Sequence, residues 1–298
     1  MLQSLQKYMI PVREAHRKFV DHLKEKSRST YTVLAYGKDI EQLVDFIQQL
    51  NKNHVQEIAT NDLKAFIAKL EKENYTPKSI SRKINSTKTF FRYLKINEYI
   101  VDNPSAILEH PKLESKPPRI LSKLEYRALR DAARNDIRMS AIIELLLQTG
   151  IRIGELANLT IDDIKYSQGQ KNGELYIRPY ESHPERNVPL NKAGESSLKR
   201  YLEIRPETKE KKVFVTKTGR PLLIRNIRTS IARYFRLASI KNAKVNDLRH
   251  TFVAHHLMSG TSLVVVSKLA GHKRVATTEK YLEFIKDHLS QPIKLDEL

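Results

Sequence analysis

The stretch MSAIIELLLQTGIRIGEL, residues 139–156, forms the centre of the predicted fold. Its first part is apolar on nearly every side of a helix, and a helix with that pattern is buried inside a domain. Gly150 follows it, and glycine readily adopts the left-handed conformation that ends many helices. The sequence therefore predicts a buried core helix that ends at Gly150, with Arg152 placed just beyond that end.

The residues around this helix predict a domain of mixed α and β structure. Ser122 and Glu125 form a capping-box pattern, so a helix is predicted to begin there. Three later segments have the composition of short strands, namely GELYIRPY at 173–180, RNVPL at 186–190 and KVFVT at 212–216. Helices are then predicted in three segments with an apolar stripe, residues 224–240, 245–260 and 262–272.

The first part of the chain predicts a separate bundle of helices. Apolar residues recur at helical spacing in residues 31–50, 62–73 and 77–100. Thr76 followed by Pro77 is typical of a helix start, because the threonine oxygen caps the helix and proline there loses no needed hydrogen bond. These segments are long enough to form a small helical bundle.

Three prolines, Pro111, Pro117 and Pro118, separate the two parts, and proline disfavours a helix at its own position and at the residue before it. The predicted fold class is mainly α with a small antiparallel β-sheet. The predicted domains are a helical bundle at residues 1–110, a linker at 111–120, and a mixed α+β domain with a C-terminal tail at 121–298.

Charge and composition restrict the possible partners and chemistry. The formal net charge is +19, and such an excess of lysine and arginine attracts polyanions, nucleic acid first among them. The chain has no cysteine, which excludes disulfides, thiolate nucleophiles and cysteine-rich metal sites. Its first residues lack the apolar core of a signal peptide and no segment is apolar enough to span a membrane, so we expect a soluble, cytoplasmic protein.

Three stretches of the second domain carry side chains suited to chemistry. They are TGIRIGEL with Arg152, NDLRHTFVAHHL with Arg249, and LAGHKRVATTEKYLEF with His272 and Tyr281. Taken singly, each has an ordinary explanation, since most arginines are exposed or paired and most histidines and tyrosines only pack. The functional interpretation depends on their occurrence together in this order.

These stretches resemble the catalytic signature of the tyrosine recombinases, the phage integrase and Xer family. That signature has an arginine in a TGxRxxEL turn, a later HxLRH(S/T)F helix, an LGH turn, and a tyrosine a short distance beyond it. The resemblance extends to the first domain, where TPKSISRKINSTKTFFRYL, residues 76–94, lies at the place of the family's helical core-binding domain.

The resemblance implies a site-specific DNA recombinase that needs neither metal nor cofactor. Arg152 and Arg249 would neutralise the scissile phosphate, because guanidinium groups bind phosphate oxygens bidentately. Tyr281 would be the nucleophile that forms a 3′-phosphotyrosyl intermediate, and His272 and Asn246 would hydrogen-bond the phosphate. The implied partners are double-stranded DNA with a specific inverted-repeat site and an accessory protein. The implied assembly is a monomer or dimer when free and a homo-tetramer on two DNA sites, associated with the nucleoid.

Two departures from the family pattern concern proton transfer. Asn246 stands where the family has histidine, and an amide can donate a hydrogen bond but cannot act as an acid or base. The family's lysine, in the turn between two strands, is also absent from IRPYESHPERNVPL. Arg178, His183 and Lys171 are the candidates to replace it, and the sequence leaves the choice among them open.

These departures keep two alternatives open. One is a DNA-binding relative with impaired strand transfer, and the other is a DNA-relaxing enzyme like the type IB topoisomerases, which share the chemistry. A nicked suicide substrate distinguishes the first from a recombinase, and sequence-independent plasmid relaxation identifies the second.

The first domain carries a candidate DNA-binding face. Its basic residues alternate with apolar ones in one predicted helix, so that one face can pack while the other meets a phosphate backbone. The ordinary alternative is a solvated face. The predicted DNA contacts are Arg82, Lys83, Lys88 and Arg92, and the predicted packing residues are Ile80, Ile84, Phe91 and Leu94.

The tail EFIKDHLSQPIKLDEL, residues 283–298, has apolar positions but is too short to form a core of its own. The family resemblance implies that this tail docks on a neighbouring protomer, whereas the simpler alternative is a tail that folds onto its own subunit.

Overall fold

The computed structural model describes residues 9–26, 28–113, 117–169, 171–181 and 183–285. Two compact units are present, one on each side of residues 114–116. The first is helical and the second combines helices with a small sheet, so the predicted fold class is confirmed. The tail beyond Ile285 lies outside the described residues, and so does the prediction about its docking.

The first unit is built from four α-helices among its described residues: α1 Val12–Glu25, α2 Thr30–Gln49, α3 Thr60–Lys72 and α4 Pro77–Ile96. The predicted start of α4 is confirmed, since the hydroxyl of Thr76 accepts a hydrogen bond from the backbone N–H of Ser79 at 3.3 Å. Phe19, Phe66 and Phe90 are fully buried at its centre. Burial of each such ring stabilises the fold by roughly 1.5–3 kcal/mol.

The predicted packing face of α4 is confirmed, because Ile80, Ile84, Phe91 and Leu94 are all at most 3% exposed. The expectation that Lys83 lies on the opposite, solvent-facing side is wrong. Its ammonium group is buried and donates hydrogen bonds at 2.9 Å to Oδ1 of Asp39 and at 2.6 Å to Oε1 of Gln42.

Lys83 is buried because Asp39 of α2 is only 2% exposed and needs cationic partners. Arg82 also pairs with Asp39, through Nη1, but keeps 44% of its side chain exposed. Lys88 is half-buried and Arg92 exposed, and neither makes an ion pair with a described residue. Arg82, Lys88 and Arg92 therefore remain on the surface, whereas Lys83 is buried as a partner of Asp39.

The second unit contains eight described α-helices and a three-stranded sheet. The helices are α5 Lys123–Ala133, α6 Ile137–Thr149, α7 Ile153–Asn158, α8 Lys192–Glu203, α9 Ile224–Leu237, α10 Val245–Met258, α11 Leu263–Ala270 and α12 Ala276–Ile285. The strands are β1 Ile164–Lys165, β2 Gly173–Ile177 and β3 Arg186–Leu190, antiparallel in the order β1-β2-β3.

The sheet covers one side of the core. Leu175 of β2 pairs with Val188 of β3 and with Ile164 of β1. Leu175 and Val188 are at most 1% exposed, as expected for residues on the inner face of a sheet that has one solvated side. The β2–β3 turn, which follows Ile177, leaves the end of the sheet and carries the segment where the family lysine is missing.

The prediction of a strand at KVFVT, residues 212–216, is wrong. The segment makes only isolated bridges. The backbone N–H of Val213 donates to the carbonyl of Leu159, whereas that of Val215 donates to the hydroxyl of Tyr201. Because Val213 and Val215 bond to different parts of the chain, the segment does not pair continuously with a single strand. The third strand of the sheet is β1 instead.

The predicted core helix is α6, which packs against α8 and α10. Its predicted end is confirmed, since Gly150 has φ of 61°. A Cβ at this position would lie 2.2 Å from the ring of Phe252 on α10. Gly150 therefore allows both the left-handed turn and the close approach of α10, the helix that carries Arg249.

Among the described residues, none of the helices is both long and apolar enough to cross a membrane.

We expect Gly150→Ala to lower the free energy of unfolding by about 2–4 kcal/mol, because backbone strain adds to displacement of a core ring. Gly260→Ala is the matched control. Gly260 also has positive φ, of 80°, but a Cβ there meets nothing within 4 Å. The control should lose only about 1 kcal/mol, from backbone strain. Urea unfolding of the full chain measures both, and equal losses would contradict the packing argument.

Candidate active site

Arg152 lies at the N-terminus of α7, immediately after the turn at Gly150. Its backbone N–H donates to Oε2 of Glu155 at 2.7 Å, and its side-chain Nη1 donates to Oε1 of the same residue at 3.0 Å. Nη2 donates to the carbonyl of Gly271 at 2.7 Å. These contacts join Arg152 to the turn between α11 and α12, which precedes Tyr281.

Glu155 is held from the other side by Arg186, the first residue of β3. Nη1 and Nη2 of Arg186 donate to the two carboxylate oxygens at 2.9 and 2.8 Å, and Nε donates to the carbonyl of Leu269 at 2.8 Å. The side chains of Arg186 and Glu155 are only 10% and 1% exposed. A single carboxylate thus ties α7, β3 and the end of α11 together.

The charge on Glu155 is maintained by its partners. Burial by itself would raise the pKa of this carboxyl, but the hydrogen bonds and charge of Arg186, together with those of Arg152, outweigh burial and lower the pKa to about 2. Gly271 allows this packing, because a Cβ there would lie 2.7 Å from Cζ of Arg186.

Arg249 on α10 is 6% exposed. Its Nη1 donates to the carbonyl of Gly150 at 2.6 Å, while its buried Nη2 has no hydrogen-bond partner in the part of the chain that the structure describes. Burial, with the nearby charge of Arg152, lowers the pKa of Arg249 to about 9. The guanidinium remains cationic at neutral pH, with a donor that an anion can satisfy.

A cleft of about 390 Å³ lies beside the two arginines. Its polar lining is formed by Arg152, Arg228, Lys244, Asn246 and Arg249, and the remaining lining is apolar. Four of these five side chains are cations. The cleft is therefore suited to an anionic group placed against an apolar floor.

Tyr281 on α12 is 6% exposed, and its hydroxyl lies 2.5 Å from Nδ1 of His250. The other ring nitrogen of His250, Nε2, lies 2.8 Å from Nδ2 of Asn246. Burial raises the pKa of the Tyr281 hydroxyl, and the charge of Arg249 opposes that effect. The three side chains form one hydrogen-bonded chain from the cleft to the tyrosine.

His272 lies beside the same tyrosine. The two rings are stacked, with centroids 6.3 Å apart and planes 20° apart, and Nδ1 of His272 lies 2.7 Å from the hydroxyl of Thr278. Burial lowers the pKa of His272 to about 4, with the charges of Arg249 and Arg152 acting in the same direction. His272 is therefore neutral at neutral pH and able to donate one hydrogen bond.

The structure thus brings the five residues proposed from the sequence, Arg152, Asn246, Arg249, His272 and Tyr281, into one region of the second unit. Sequence reasoning missed Glu155, Arg186 and His250. Glu155 and His250 lie inside the quoted motifs and could have been considered there, whereas nothing in the sequence around Arg186 indicates its pairing.

The three candidates for the missing lysine are placed very differently. Nε of Arg178 donates to both carboxylate oxygens of Asp163, at 2.8 and 3.1 Å. Lys171 precedes β2 and therefore lies at the opposite end of that strand from the β2–β3 turn. His183 lies within the turn itself, where its backbone exchanges hydrogen bonds with Tyr180.

The β2–β3 turn packs onto the arginine-bearing helix. A Cβ on Gly154 of α7 would lie 2.6 Å from the ring of Tyr180, so this ring sits directly on the helix that follows Arg152. Nδ1 of His183 is buried and has no hydrogen-bond partner among the described residues. Burial lowers the pKa of His183, and the charge of Arg152 acts in the same direction, whereas the charge of Glu155 opposes it. The charges of Lys273 and Arg249 lower the pKa further. The charges of both Arg152 and Arg249 therefore act on the protonation of His183.

Comparison with known proteins agrees with this geometry. Residues 119–288 match the model of the phage integrase family, and residues 17–98 match its N-terminal SAM-like domain. A tyrosine recombinase XerC from Oceanobacillus iheyensis is 33% identical over 288 residues, which cover 92% of each chain. The chain therefore belongs to the phage integrase family and is a tyrosine recombinase, an enzyme that cleaves and rejoins DNA.

Solved structures show the same fold. The crystal structure of XerA recombinase is 26% identical, with a TM-score of 0.52, and the match covers 93% of this chain and 99% of that one. A lambda integrase tetramer bound to a Holliday junction is 18% identical, with a TM-score of 0.73, and the match covers 90% of this chain and 79% of that one.

We expect Glu155→Gln to destabilise the protein by about 3–5 kcal/mol at neutral pH, because two buried guanidinium groups lose their counter-charge. The lowered pKa means that the stabilising charge is present above the unfolded-state pKa of about 4.3 and is lost as the pH falls toward the folded-state value. The difference between wild type and variant should therefore shrink over that acidic range.

Urea unfolding at pH 7 and at about pH 3 measures the effect. Glu195→Gln is the control, since Glu195 is also buried but accepts from Ser167 and pairs with Lys199 instead of arginine. The Glu195→Gln control should lose less stability than Glu155→Gln and should still cleave DNA. A difference between wild type and Glu155→Gln that stays constant with pH would contradict the proposed charge effect.

Proposed function

We propose that the chain recognises a specific inverted-repeat DNA site and cleaves each strand with Tyr281 while Arg152 and Arg249 hold the scissile phosphate. The observation that carries this proposal is the buried Arg249, whose Nη2 has no hydrogen-bond partner among the described residues, in a cationic cleft shared with Arg152. Residues 121–298 serve as the catalytic domain, residues 1–110 as the core-binding domain, and residues 111–120 as the linker.

Arg152 and Arg249 act on charge that develops during the reaction. Attack on a phosphodiester moves negative charge onto the non-bridging oxygens, and fixed guanidinium donors stabilise that charge without having to reorganise. Arg152 is fixed by Glu155 and by the carbonyl of Gly271. Arg249 is fixed by the carbonyl of Gly150. His272 and Asn246 supply further hydrogen bonds to the phosphate.

Tyr281 provides the nucleophilic oxygen. Its hydroxyl oxygen forms a bond to phosphorus, the bond from phosphorus to the 5′-oxygen breaks, and the phenol proton passes to a base. The product is a 3′-phosphotyrosyl enzyme and a free 5′-hydroxyl. The phosphodiester energy is retained, so a 5′-hydroxyl from another strand can displace the tyrosine by the reverse steps.

His183 supplies the proton that the departing 5′-oxygen requires. It lies in the β2–β3 turn, the charges of Arg152 and Arg249 act on it, and its buried Nδ1 is uncommitted among the described residues. The negative charge of a phosphate in the cleft favours the protonated ring, which opposes the lowering of its pKa by burial. Arg178 is bound to Asp163, and Lys171 lies at the far end of β2.

Charge and fold support the remaining proposed partners. The net charge of +19 favours DNA as the partner. We place the protein in the cytoplasm, associated with the nucleoid. Arg82, Lys88 and Arg92 contact the phosphate backbone from the first unit. A homo-tetramer on two sites, from monomers or dimers when free, is supported by the fold shared with the lambda integrase tetramer, and an accessory protein completes the proposed assembly.

We expect Arg152→Ala and Arg249→Ala each to slow covalent attachment to DNA by about 100-fold or more. Duplex affinity should change little, because binding depends on many backbone contacts. A DNA site is first selected from a random duplex pool by the full chain. A nicked suicide duplex of that site then traps the covalent complex, which is counted on denaturing gels.

Tyr281→Phe is the control, since it should bind the duplex but form no adduct. No adduct with wild type, despite specific binding, would favour a DNA-binding relative without strand transfer, as Asn246 and the missing lysine would suggest. Relaxation of plasmids without the selected site would instead favour a topoisomerase-like activity. Normal cleavage by either arginine variant would refute the assigned roles.

We expect His183→Asn to slow cleavage by about 100-fold or more on ordinary DNA. The defect should nearly disappear on a suicide duplex in which sulfur replaces the scissile 5′-bridging oxygen, because a thiolate leaves without being protonated. Lys171→Ala and Arg178→Ala are the matched controls and should cleave both duplexes nearly as wild type does. If one of these controls cleaved ordinary DNA slowly but the sulfur-containing duplex normally, the role of general acid would be reassigned to that residue.

A further inference from the structure

His250 is placed between the nucleophile and the rim of the cleft. Its Nδ1 lies 2.5 Å from the hydroxyl of Tyr281, and its Nε2 lies 2.8 Å from Nδ2 of Asn246. The rings of His250 and Tyr281 have centroids 5.7 Å apart and are tilted by 46°, so they are not stacked. The roles proposed above use neither nitrogen of this ring.

The reaction needs a group in this place. A phenol has an unperturbed pKa near 10 and attacks phosphorus only if its proton is accepted as the bond forms. Asn246 has no basic atom. Nδ1 of His272 is committed to Thr278, and that ring lies stacked against the face of Tyr281 instead of at its hydroxyl. Among the described side chains, His250 is the base in hydrogen-bond contact with the nucleophile.

We propose that His250 is the general base that accepts the phenol proton of Tyr281, and that Asn246 orients it. The proposal rests on the proposed role of Tyr281 as nucleophile. It assigns the base to the residue directly after Arg249, and it gives Asn246 a positioning role at the far side of the imidazole.

Asn246 sets the tautomer of His250. With its amide nitrogen toward Nε2, Asn246 donates to that nitrogen, and the ring proton then resides on Nδ1. With the amide turned by half a rotation, its oxygen accepts from the Nε2 proton, and Nδ1 carries the lone pair that accepts from the phenol. The second arrangement is the reactive one, and an amide can adopt either because it carries a donor and an acceptor.

The surroundings keep His250 neutral and ready to accept a proton. Burial lowers its pKa, the charge of Asp247 opposes this effect, and the charge of Arg249 adds to it. The hydroxyl of Tyr281, on α12, contacts the ring at Nδ1, and the charge of His250 is one of the effects that lower the pKa of His272. A base with a lowered pKa stays unprotonated at neutral pH, so cleavage by wild type should fail as the pH drops through that value.

The proton balance closes within the site. In the cleavage step the Tyr281 oxygen bonds to phosphorus, its proton moves to Nδ1 of His250, and the 5′-oxygen departs with a proton from its own donor. In the rejoining step an incoming 5′-hydroxyl attacks phosphorus and gives its proton back to the group that protonated the departing 5′-oxygen, proposed above to be His183. The bond from phosphorus to the Tyr281 oxygen breaks, and the imidazolium of His250 returns the phenol proton. The reaction requires no external base or acid.

The decisive variant is His250→Asn, because its amide places a hydrogen-bonding atom near the position of Nδ1 but cannot accept a proton. We expect cleavage of the suicide duplex to slow by about 100-fold or more at pH 7, with DNA affinity and melting temperature close to wild type. The acidic limb of the pH–rate profile should disappear, and the variant's rate should rise steadily with pH as hydroxide takes over.

The sulfur-containing duplex separates this role from the others. It removes the need for an acid but not for a base, so it should leave the His250→Asn defect in place while it repairs His183→Asn. Added imidazole should restore part of the cleavage rate of His250→Ala, which has room for the ring.

Asn246→Leu should slow cleavage less than His250→Asn does. The acidic limb of its pH–rate profile should be retained, because Asn246 positions the base but is not the base.

Failure of this inference is distinguishable from failure of the proposed function. If wild type forms no adduct, or Tyr281→Phe forms one, the function proposed for Tyr281 fails. If wild type cleaves and Tyr281→Phe does not, but folded His250→Asn cleaves within about threefold of wild type and keeps the acidic limb, the role of His250 is overturned. If the sulfur-containing duplex restored cleavage by His250→Asn, the role of His250 as a base would likewise be overturned, and His250 would act as an acid.

Discussion

The carboxylate of Glu155 is the contact on which the arrangement of the active site depends. It lies almost fully buried between Arg152 and Arg186 and receives hydrogen bonds from both guanidinium groups. Arg186 begins β3, Arg152 begins α7, and both arginines reach carbonyls at the end of α11. Because one carboxylate neutralises both cations, three separate segments of the chain are fixed relative to one another, and the turn before Tyr281 is fixed with them.

A buried ion pair of this kind is poor evidence for stability, since removing charges from water costs several kcal/mol per ion before they attract each other. Its value here is geometric. An exposed arginine would lose side-chain entropy each time it bound a phosphate, whereas Arg152 is already held on two sides. The same reasoning explains why the carbonyls of Gly150 and Gly271 accept from Arg249 and Arg152, since these two turns bring the backbone close enough to hold the guanidinium groups.

Local signals in the sequence were sufficient for much of the fold. The capping box at Ser122, the helix start at Thr76 and the left-handed end at Gly150 each involve residues close together in the chain, so the pattern alone predicts them. The predictions were wrong where a contact with a residue distant in the sequence determines the local structure. Lys83 is buried by Asp39, which is 44 residues away, and KVFVT is bent by bonds to Leu159 and Tyr201. Likewise, Arg186 joins the site through Glu155, 31 residues earlier, and through the carbonyl of Leu269, 83 residues later.

Arg249 shows how the fold prepares the cleft for an anion. Its burial lowers its pKa, and one of its nitrogens has no hydrogen-bond acceptor in the described part of the chain. An unsatisfied buried donor costs about 1–3 kcal/mol in the folded protein, and more if it is charged. In the proposed complex, a phosphate oxygen in the cleft would supply both the missing acceptor and a negative charge, so the free energy lost on burying Arg249 would be regained on binding. In the proposed reaction the gain would be largest when the phosphate carries most charge, which is in the transition state, so Arg249 in its proposed role would favour the reaction more than simple binding.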